Sequence, residues 1–99
     1  SNYYTKITNI VLEYAFSILD ACNKDISINL SVLDIEQTST RLKVYELLEQ
    51  HKTKAPRIVF ELLEDENVKD FQLVKDFISR VKEYGVKIAI DDFGAGYSN

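Results

Sequence analysis

Three oxygen-bearing side chains occur along the sequence at nearly equal intervals. Asn29, Glu61 and Asp91 are 32 and 30 residues apart, and each lies near the end of a segment with alternating apolar residues. Amide and carboxylate oxygens are the ligands that Mg²⁺ and Mn²⁺ prefer in proteins. Carboxylates that are brought close together repel one another, and a divalent cation removes that penalty. The spacing therefore indicates a metal site, provided that the three segments lie side by side.

A fourth carboxylate, Asp92, follows Asp91 directly. Adjacent carboxylates can serve two cations, and two cations about 3.5–4 Å apart are the usual device for cleaving a phosphodiester. Each feature also has a simpler interpretation when taken alone. Asn29 can be a buried amide in a strand, Glu61 can pair with Arg57 or a lysine, and the two aspartates can be turn residues. The joint pattern favours a metal site over these alternatives.

Three helix–strand units are predicted to position these residues. Apolar side chains recur at helical spacing over residues 4–21, 33–51 and 68–84, and they alternate with other residues over 26–31, 57–63 and 86–91. Strands that alternate with helices predict a parallel sheet covered by helices, which is an α/β fold. Gly85 is the predicted stop of the third helix.

Periodicity also predicts which side chains of the helices are buried. In the first helix these are Ile7, Ile10, Val11, Tyr14, Ala15, Ile18 and Leu19. In the second helix they are Leu42, Tyr45, Leu47 and Leu48. In the third helix they are Phe71, Val74, Phe77, Ile78 and Val81.

Side chains alternate between the two faces of a strand, so each predicted strand has a bulky apolar face and a face of mostly small or polar residues. Asn29, Glu61 and Asp91 lie on the second face, at or near the C-terminal end of their strands. In parallel α/β sheets and barrels, the C-terminal strand ends form the edge where ligands bind. We therefore expect the three oxygen ligands to converge at that edge.

Composition excludes several classes of function. The chain has 99 residues, which is one small domain at most, and a net charge of −4. An acidic chain is a poor candidate for binding DNA or RNA through phosphate neutralisation. A single cysteine, Cys22, and a single histidine, His51, exclude a zinc site built from these residue types. Any metal site must therefore consist of oxygen ligands, which suits Mg²⁺ or Mn²⁺.

Three motifs resemble the middle of an EAL domain, a family of bacterial phosphodiesterases that linearise cyclic di-GMP. They are Ile28-Asn29-Leu30-Ser31, Phe60-Glu61-Leu62-Leu63-Glu64 and Asp91-Asp92-Phe93-Gly94-Ala95-Gly96-Tyr97-Ser98. The resemblance implies parallel βα units that form about half of a TIM-like (β/α) barrel. It also implies that residues 1–99 are a partial EAL domain, without the family's Glu-Ala-Leu segment and C-terminal half.

The resemblance further implies roles for individual residues. The metal ligands would be Asn29, Glu61, Asp91 and Asp92, of which Asp91 and Asp92 would be catalytic. Together they would take part in a site for two Mg²⁺ or Mn²⁺ ions, with Asp91 bridging the two. Leu63 stands where the family often has Thr, which puts a hydrogen bond that anchors the catalytic loop in question. The residues that would support that loop are Glu64, Phe93, Gly94 and Gly96.

For the complete domain, the resemblance implies hydrolysis of cyclic di-GMP to linear pGpG, with residues 1–99 inactive on their own. The alternative is a catalytically degenerate EAL domain that binds cyclic di-GMP as a receptor or interaction module. Open strand edges predict self-association or exchange of elements. The domain is expected to be cytoplasmic, whereas the longer protein could be membrane-tethered and could carry GGDEF or sensor domains.

Overall fold

Three parallel strands form the centre of the structure, a computed structural model that describes residues 2–91, with the side chains of residues 3–90. They are β1 (Ile26–Ser31), β2 (Ile58–Leu63) and β3 (Lys87–Asp91). The strand order is β1–β2–β3, and both pairings are parallel. The strand bounds agree with the predicted ones to within one residue.

Helices connect the strands. They are α1 (Asn2–Ala21), α2 (Val32–Ile35), α3 (Thr38–Gln50) and α4 (Phe71–Lys82), and a short 3₁₀ helix, Ala55–Arg57, precedes β2. This order of parallel strands and helices confirms the predicted α/β fold class. None of the helices within residues 2–91 has both the length and the apolar character of a membrane span.

The sheet has one covered and one open face. Ile28, Leu30, Ile58, Phe60 and Leu62 are buried on the face that the helices cover, and they form the core with apolar side chains of α1, α3 and α4. The side chains that alternate with them on β1 and β2 are exposed or half-buried. The predicted assignment of side chains to two faces is therefore confirmed for β1 and β2, although Leu63 on the open face is apolar. On β3, Ile90 was predicted for the bulky face but is 53% exposed.

The single helix predicted over residues 33–51 is wrong, because two helices cover this segment. Ser31 ends β1 and caps α2, since its hydroxyl accepts the backbone N–H of Leu33 at 3.0 Å. The Asp34 carboxylate accepts the N–H of Ser31 in return, at 3.3 Å, which completes a capping box. Gln37 then has extended backbone angles, φ −82° and ψ 125°, so α3 must start anew after it.

Helix α1 packs with a face that differs from the predicted one. Leu12, Phe16 and Leu19 are buried, whereas Ala15 and Ile18 are half-buried. The helix has apolar residues on two faces, and periodicity alone does not determine which of them meets the sheet. The predicted core positions that are instead exposed are Ile7, Ile10, Val11 and Tyr14.

Two other predicted core positions are also exposed. Leu42 lies two residues before the buried Val44, so it is about 200° away around the axis of α3. Phe71 is 67% exposed because it is the first residue of α4 and borders a surface groove. The other predicted core positions of α4 are confirmed, because Val74, Phe77 and Val81 are buried and Ile78 is half-buried.

Local interactions set the two ends of α4. The Asp70 side chain accepts the backbone N–H of Leu73 at 3.0 Å, so this aspartate caps the helix and α4 begins three residues later than predicted. After the helix ends at Lys82, Gly85 takes a φ of +92°, a backbone angle that favours glycine. Gly85 therefore turns the chain from α4 toward β3, which agrees with the prediction that it ends the third helix.

Candidate functional site

The strand register brings the predicted ligand positions together. Asn29 on β1 lies directly beside Glu61 on β2. On β3, Ala89 lies beside Glu61, and Asp91 lies two residues further toward the C-terminal edge, beside Leu63. Neighbouring strands are about 4.8 Å apart, so side chains at paired positions can bind one ion. Asn29, Glu61 and the Asp91 position all belong to the open face of the sheet.

The simpler interpretations of Asn29 and Glu61 do not hold. Asn29 is exposed, so it is not a buried strand amide. Glu61 is half-buried and forms no ion pair within the described side chains. Arg57 instead donates hydrogen bonds to the backbone carbonyls of Leu19 at 3.2 Å and Cys22 at 2.6 Å. Within the described part of the chain, the Glu61 carboxylate therefore has no competing protein cation.

The surroundings of this pair fit a hard divalent cation. An amide and a carboxylate offer oxygen ligands on an open surface, next to the small side chain of Ala89. Lys87 lies on the same face but at the other end of β3, and its side chain donates a hydrogen bond of 3.0 Å to the Pro56 carbonyl. Among the described side chains, no three His, Cys, Asp or Glu residues form a group that could hold a metal ion. Asn29 adds a neutral amide oxygen, so the described donor set contains one carboxylate, that of Glu61.

The remaining predicted site residues divide into two sets. Glu64 is exposed and begins the loop of residues 64–70 that leads from β2 to α4. The backbone of Asp91 ends β3, but its side chain lies outside the described ones. The predicted residues that lie wholly outside the described part of the chain are Asp92, Phe93, Gly94 and Gly96.

Glu36 contacts this edge of the sheet although the sequence did not single it out. One oxygen of its carboxylate accepts the backbone N–H groups of Lys69, at 2.6 Å, and Asp70, at 2.8 Å. In the single helix predicted over residues 33–51, Glu36 would lie within the first turns, where its side chain has no reason to reach a loop. Ser31 followed three residues later by Asp34 is a signature of a helix start, and it could have revealed the short helix that ends beside Glu36.

A surface groove of about 540 Å³ separates the 64–70 loop from the end of β3. Leu62, Val74 and Ile90 contribute apolar lining, while Glu64 and Lys75 contribute charged groups. Leu62 and Ile90 are paired on the helix-covered face, so the groove lies beside the end of β3 but on the opposite face from Asn29 and Glu61. The loop after β2 and the end of β3 are thus two walls of one surface feature.

A buried carboxylate lies close to the first strand of the site. Asp34 is 7% exposed and lines a small cavity together with Tyr4 and Asn29. Its negative charge raises the pKa of the Tyr4 hydroxyl, with further contributions from burial and from a hydrogen bond between the two side chains. The hydroxyl therefore stays protonated at neutral pH and can donate to Asp34.

A second group with a shifted pKa lies far from the strand ends, where α1 meets the end of α3. Lys54 donates a 2.6 Å hydrogen bond to Asp20, and this contact is the main reason why the pKa of that carboxyl is lowered. His51 adds to the effect, with its Nε2 3.4 Å from the carboxylate. A lowered folded-state pKa contributes stability that is present above the unfolded-state value of about 3.9 and is lost as pH falls through the folded-state value.

We expect Lys54→Met to lower the free energy of unfolding at pH 7, and to approach wild-type stability as pH falls through the pKa of Asp20. Urea unfolding at a series of pH values measures this difference. Lys75→Met removes the same charge from α4, where Lys75 forms no ion pair within the described residues. If the difference in the free energy of unfolding between wild type and Lys54→Met stays constant down to pH 2, the stabilising role of the Lys54–Asp20 contact is contradicted.

Comparison with known proteins adds family information to this geometry. The whole chain, residues 1–99, matches the family model of the EAL domain. A segment of 73 residues is 32% identical to the cyclic di-GMP phosphodiesterase PdeF of Escherichia coli, and one of 74 residues is 32% identical to a cyclic di-GMP phosphodiesterase of Pseudomonas aeruginosa. An uncharacterised signalling protein of Caulobacter vibrioides is 35% identical over 74 residues.

These matches differ greatly in the share of each protein that they cover. They include 74% to 75% of this chain but only 9% to 13% of the three relatives. The chain therefore spans about a tenth of the length of the curated relatives it matches.

Proposed function

This chain belongs to the EAL domain family, and from that premise we propose that it supplies one part of a two-metal site that hydrolyses cyclic di-GMP to linear pGpG. The observation that carries the proposal is the strand register, which sets Asn29 beside Glu61 and puts Asp91 on the same face. The parallel α/β arrangement is that of a partial TIM-like barrel, and its C-terminal strand ends are the edge where such barrels bind substrates.

Each predicted ligand has a distinct task in this proposal. Asn29 offers a neutral oxygen at the edge of the site, and Glu61 offers an anionic oxygen beside it. Asp91, the last residue of β3, and Asp92, the next residue in the sequence, would add two carboxylates, so the donor set would serve two Mg²⁺ or Mn²⁺ ions. Such ions supply Lewis-acid activation of water and stabilise negative charge at the scissile phosphate. In this proposal, the residues of this chain fix the positions of the oxygen ligands and leave the open face accessible to the substrate.

The acidic character of the chain does not conflict with an anionic substrate. The net charge of −4 would repel cyclic di-GMP if the protein bound the phosphates with its own side chains. Bound divalent cations reverse the sign of the local charge. We accordingly propose that cyclic di-GMP binds only to the metal-loaded site, in the cytoplasm.

The test is hydrolysis of cyclic di-GMP by a complete EAL domain that contains residues 1–99, with Mn²⁺ or Mg²⁺ and with a chelator as the control. We expect linear pGpG, and we expect the chelator to stop its formation. Binding of cyclic di-GMP without turnover would contradict the phosphodiesterase and support a receptor. The 99-residue chain alone is expected to form no product, because it supplies only part of the ligand set that the family resemblance implies.

The open edges of the sheet support a second, structural proposal. Within the described residues, β1 and β3 each pair with β2 alone, so each has one edge without a partner strand. Unpaired strand edges favour association with another chain. We expect the 99-residue chain to self-associate with increasing concentration in light scattering, and a monomer at all concentrations would contradict this.

A further inference from the structure

The loop of residues 64–70 leaves the sheet three residues after Glu61, and most of its hydrogen bonds are local. The Asp65 side chain accepts the N–H of Asn67 at 2.8 Å, and its backbone carbonyl accepts the N–H of Val68 at 3.2 Å. Such local bonds shape the loop but do not fix it relative to the sheet. A contact from another element has to do that.

Besides the packing of Val68 against the core, Glu36 provides a polar contact at the end of the loop. Its carboxylate accepts the backbone N–H groups of Lys69 and Asp70 with one oxygen, at 2.6 and 2.8 Å. Hydrogen bonds to an ionised acceptor are shorter and stronger than those between neutral groups. The two residues it holds end the loop, and Asp70 is also the cap of α4. Glu36 therefore joins the end of the loop to the segment between α2 and α3.

The position of Glu36 is itself fixed from β1. Helix α2 begins directly after Ser31, two residues beyond Asn29, and ends just before Glu36. Arg41 donates from its Nη1 to the backbone carbonyls of Ile35, at 2.9 Å, and Glu36, at 3.0 Å. The backbone of Glu36 is thus bonded on one side to α2 and on the other to the first turns of α3.

We propose that Glu36 is a positioning residue, which fixes the end of the 64–70 loop against the segment that follows β1 and so limits movement of the strand ends that carry the metal site. The proposal rests on the proposed function, because the residues that it aligns are Asn29 and Glu61. A continuous path of bonded segments runs from Asn29 through α2 and Glu36 to the loop, and from the loop back to Glu61. Glu64 and Val68 of the loop also line the groove beside Ile90, on the face of the sheet opposite Glu61.

Removal of the carboxylate should loosen the loop and weaken the metal site. In Glu36→Ala we expect the backbone amides of Lys69 and Asp70 to exchange with solvent about tenfold faster or more, because they lose their acceptor. We expect the affinity for Mn²⁺ to fall by about 3- to 10-fold, below the effect of losing a group bonded directly to a ligand. Glu36→Gln keeps an oxygen acceptor without the charge, and we expect it to restore part of both losses.

Nuclear magnetic resonance on a ¹⁵N-labelled complete EAL domain that contains residues 1–99 measures both effects, because this domain has the full set of ligands that the family resemblance implies. Amide exchange reports on the loop, and line broadening of the Glu61 amide by added Mn²⁺ reports on the site. Glu83→Ala is the matched control, because Glu83 is exposed after the end of α4 and has no side-chain hydrogen bond within the described residues. Thermal unfolding of each variant separates an effect on the site from a general loss of stability.

The outcomes distinguish this inference from the proposed function. If wild type binds Mn²⁺ and Glu36→Ala binds it equally well, the inference is wrong and the metal site stands. If Lys69 and Asp70 exchange at the wild-type rate in Glu36→Ala, the inference is wrong as well. If wild type shows no selective broadening at Glu61, the proposed function fails and this inference fails with it.

Discussion

Replacement of Asp91 by Asn is expected to lower kcat for cyclic di-GMP hydrolysis by about 1000-fold or more in a complete domain that contains this segment, which corresponds to about 4 kcal/mol in the activation barrier. Asp91 ends β3 and shares the open face with Asn29 and Glu61. A carboxylate between two cations uses both oxygens and cancels part of their mutual repulsion. The amide of Asn keeps the size of the side chain but has one oxygen and no charge. The expected loss therefore comes from the metal site and leaves the fold intact.

A control with the same chemical change makes this result interpretable. Asp25→Asn alters an exposed aspartate in the turn before β1, at the opposite end of that strand from the site. We expect this variant to keep wild-type activity, and both variants to keep the wild-type unfolding midpoint. Activity of Asp91→Asn near that of wild type would contradict the role of Asp91 as a metal ligand. A lowered unfolding midpoint in that variant alone would attribute the loss to the fold.

The second large effect is expected in the core. Replacement of Phe77 by Ala should lower the free energy of unfolding by about 3–5 kcal/mol, the usual cost of removing a buried aromatic ring. Phe77 is fully buried on α4, and its ring lies 6.2 Å from that of Phe60 on the central strand and 5.8 Å from that of Tyr45 on α3. The side chain thus joins two helices to the sheet. Since small domains are stable by only about 5–15 kcal/mol, this variant should be partly unfolded at modest urea concentrations.

Phe71→Ala is the matched control for Phe77→Ala, because both replacements remove a phenylalanine from α4. Phe71 is 67% exposed, so its removal should change the free energy of unfolding by about 0.5 kcal/mol or less. Urea unfolding of the two variants measures the difference directly. Equal destabilisation by both would contradict the observed orientation of α4 and favour the stripe predicted from periodicity, in which Phe71 was also a core residue.

The strands could be predicted well because their signal is local. Alternation of apolar and polar residues after a turn at residues 23–25 predicts β1, and Pro56 and Gly85 mark the approach to the other two strands. A period of two also decides which residues share a face, so Asn29 and Glu61 could be placed together before the structure was known. Their direct pairing depends on register, which the structure supplies.

The helix boundaries and faces were harder to predict because they depend on distant partners. Helix α1 has two apolar faces, and only packing against α3 and β1 selects the face with Phe16 over the one with Ile10. The division between α2 and α3 follows from a capping box and from the contacts of Arg41 with two backbone carbonyls. Helical periodicity continues across that division, so a pattern of apolar residues alone does not reveal it.

The same reasoning explains why the candidate site was only partly predicted. Asn29 and Glu61 follow from alternation within strands and from the rule that parallel strands end at one edge. Glu36 accepts hydrogen bonds from the backbone N–H groups of Lys69 and Asp70, which are 33 and 34 residues later in the chain. Since nearly every residue type has a backbone N–H, the sequence does not indicate this contact. The contact of Glu36 with the loop is therefore seen only in the structure, whereas the position of Glu61 near the end of a strand can be predicted from the sequence.

The most direct test of the metal site is a Mn²⁺ titration of a ¹⁵N-labelled complete EAL domain that contains residues 1–99, followed through the side-chain amide of Asn29 and the backbone amide of Glu61. We predict that these two signals broaden first, that excess Mg²⁺ reverses the effect, and that a chelator restores the original spectrum. Two exposed carboxylates away from the strand ends, Glu46 on α3 and Glu83 directly after α4, serve as internal references. Equal broadening around Glu46, Glu83 and Glu61 would mean that Mn²⁺ binds the acidic surface without selectivity, and it would contradict a metal site at the strand ends.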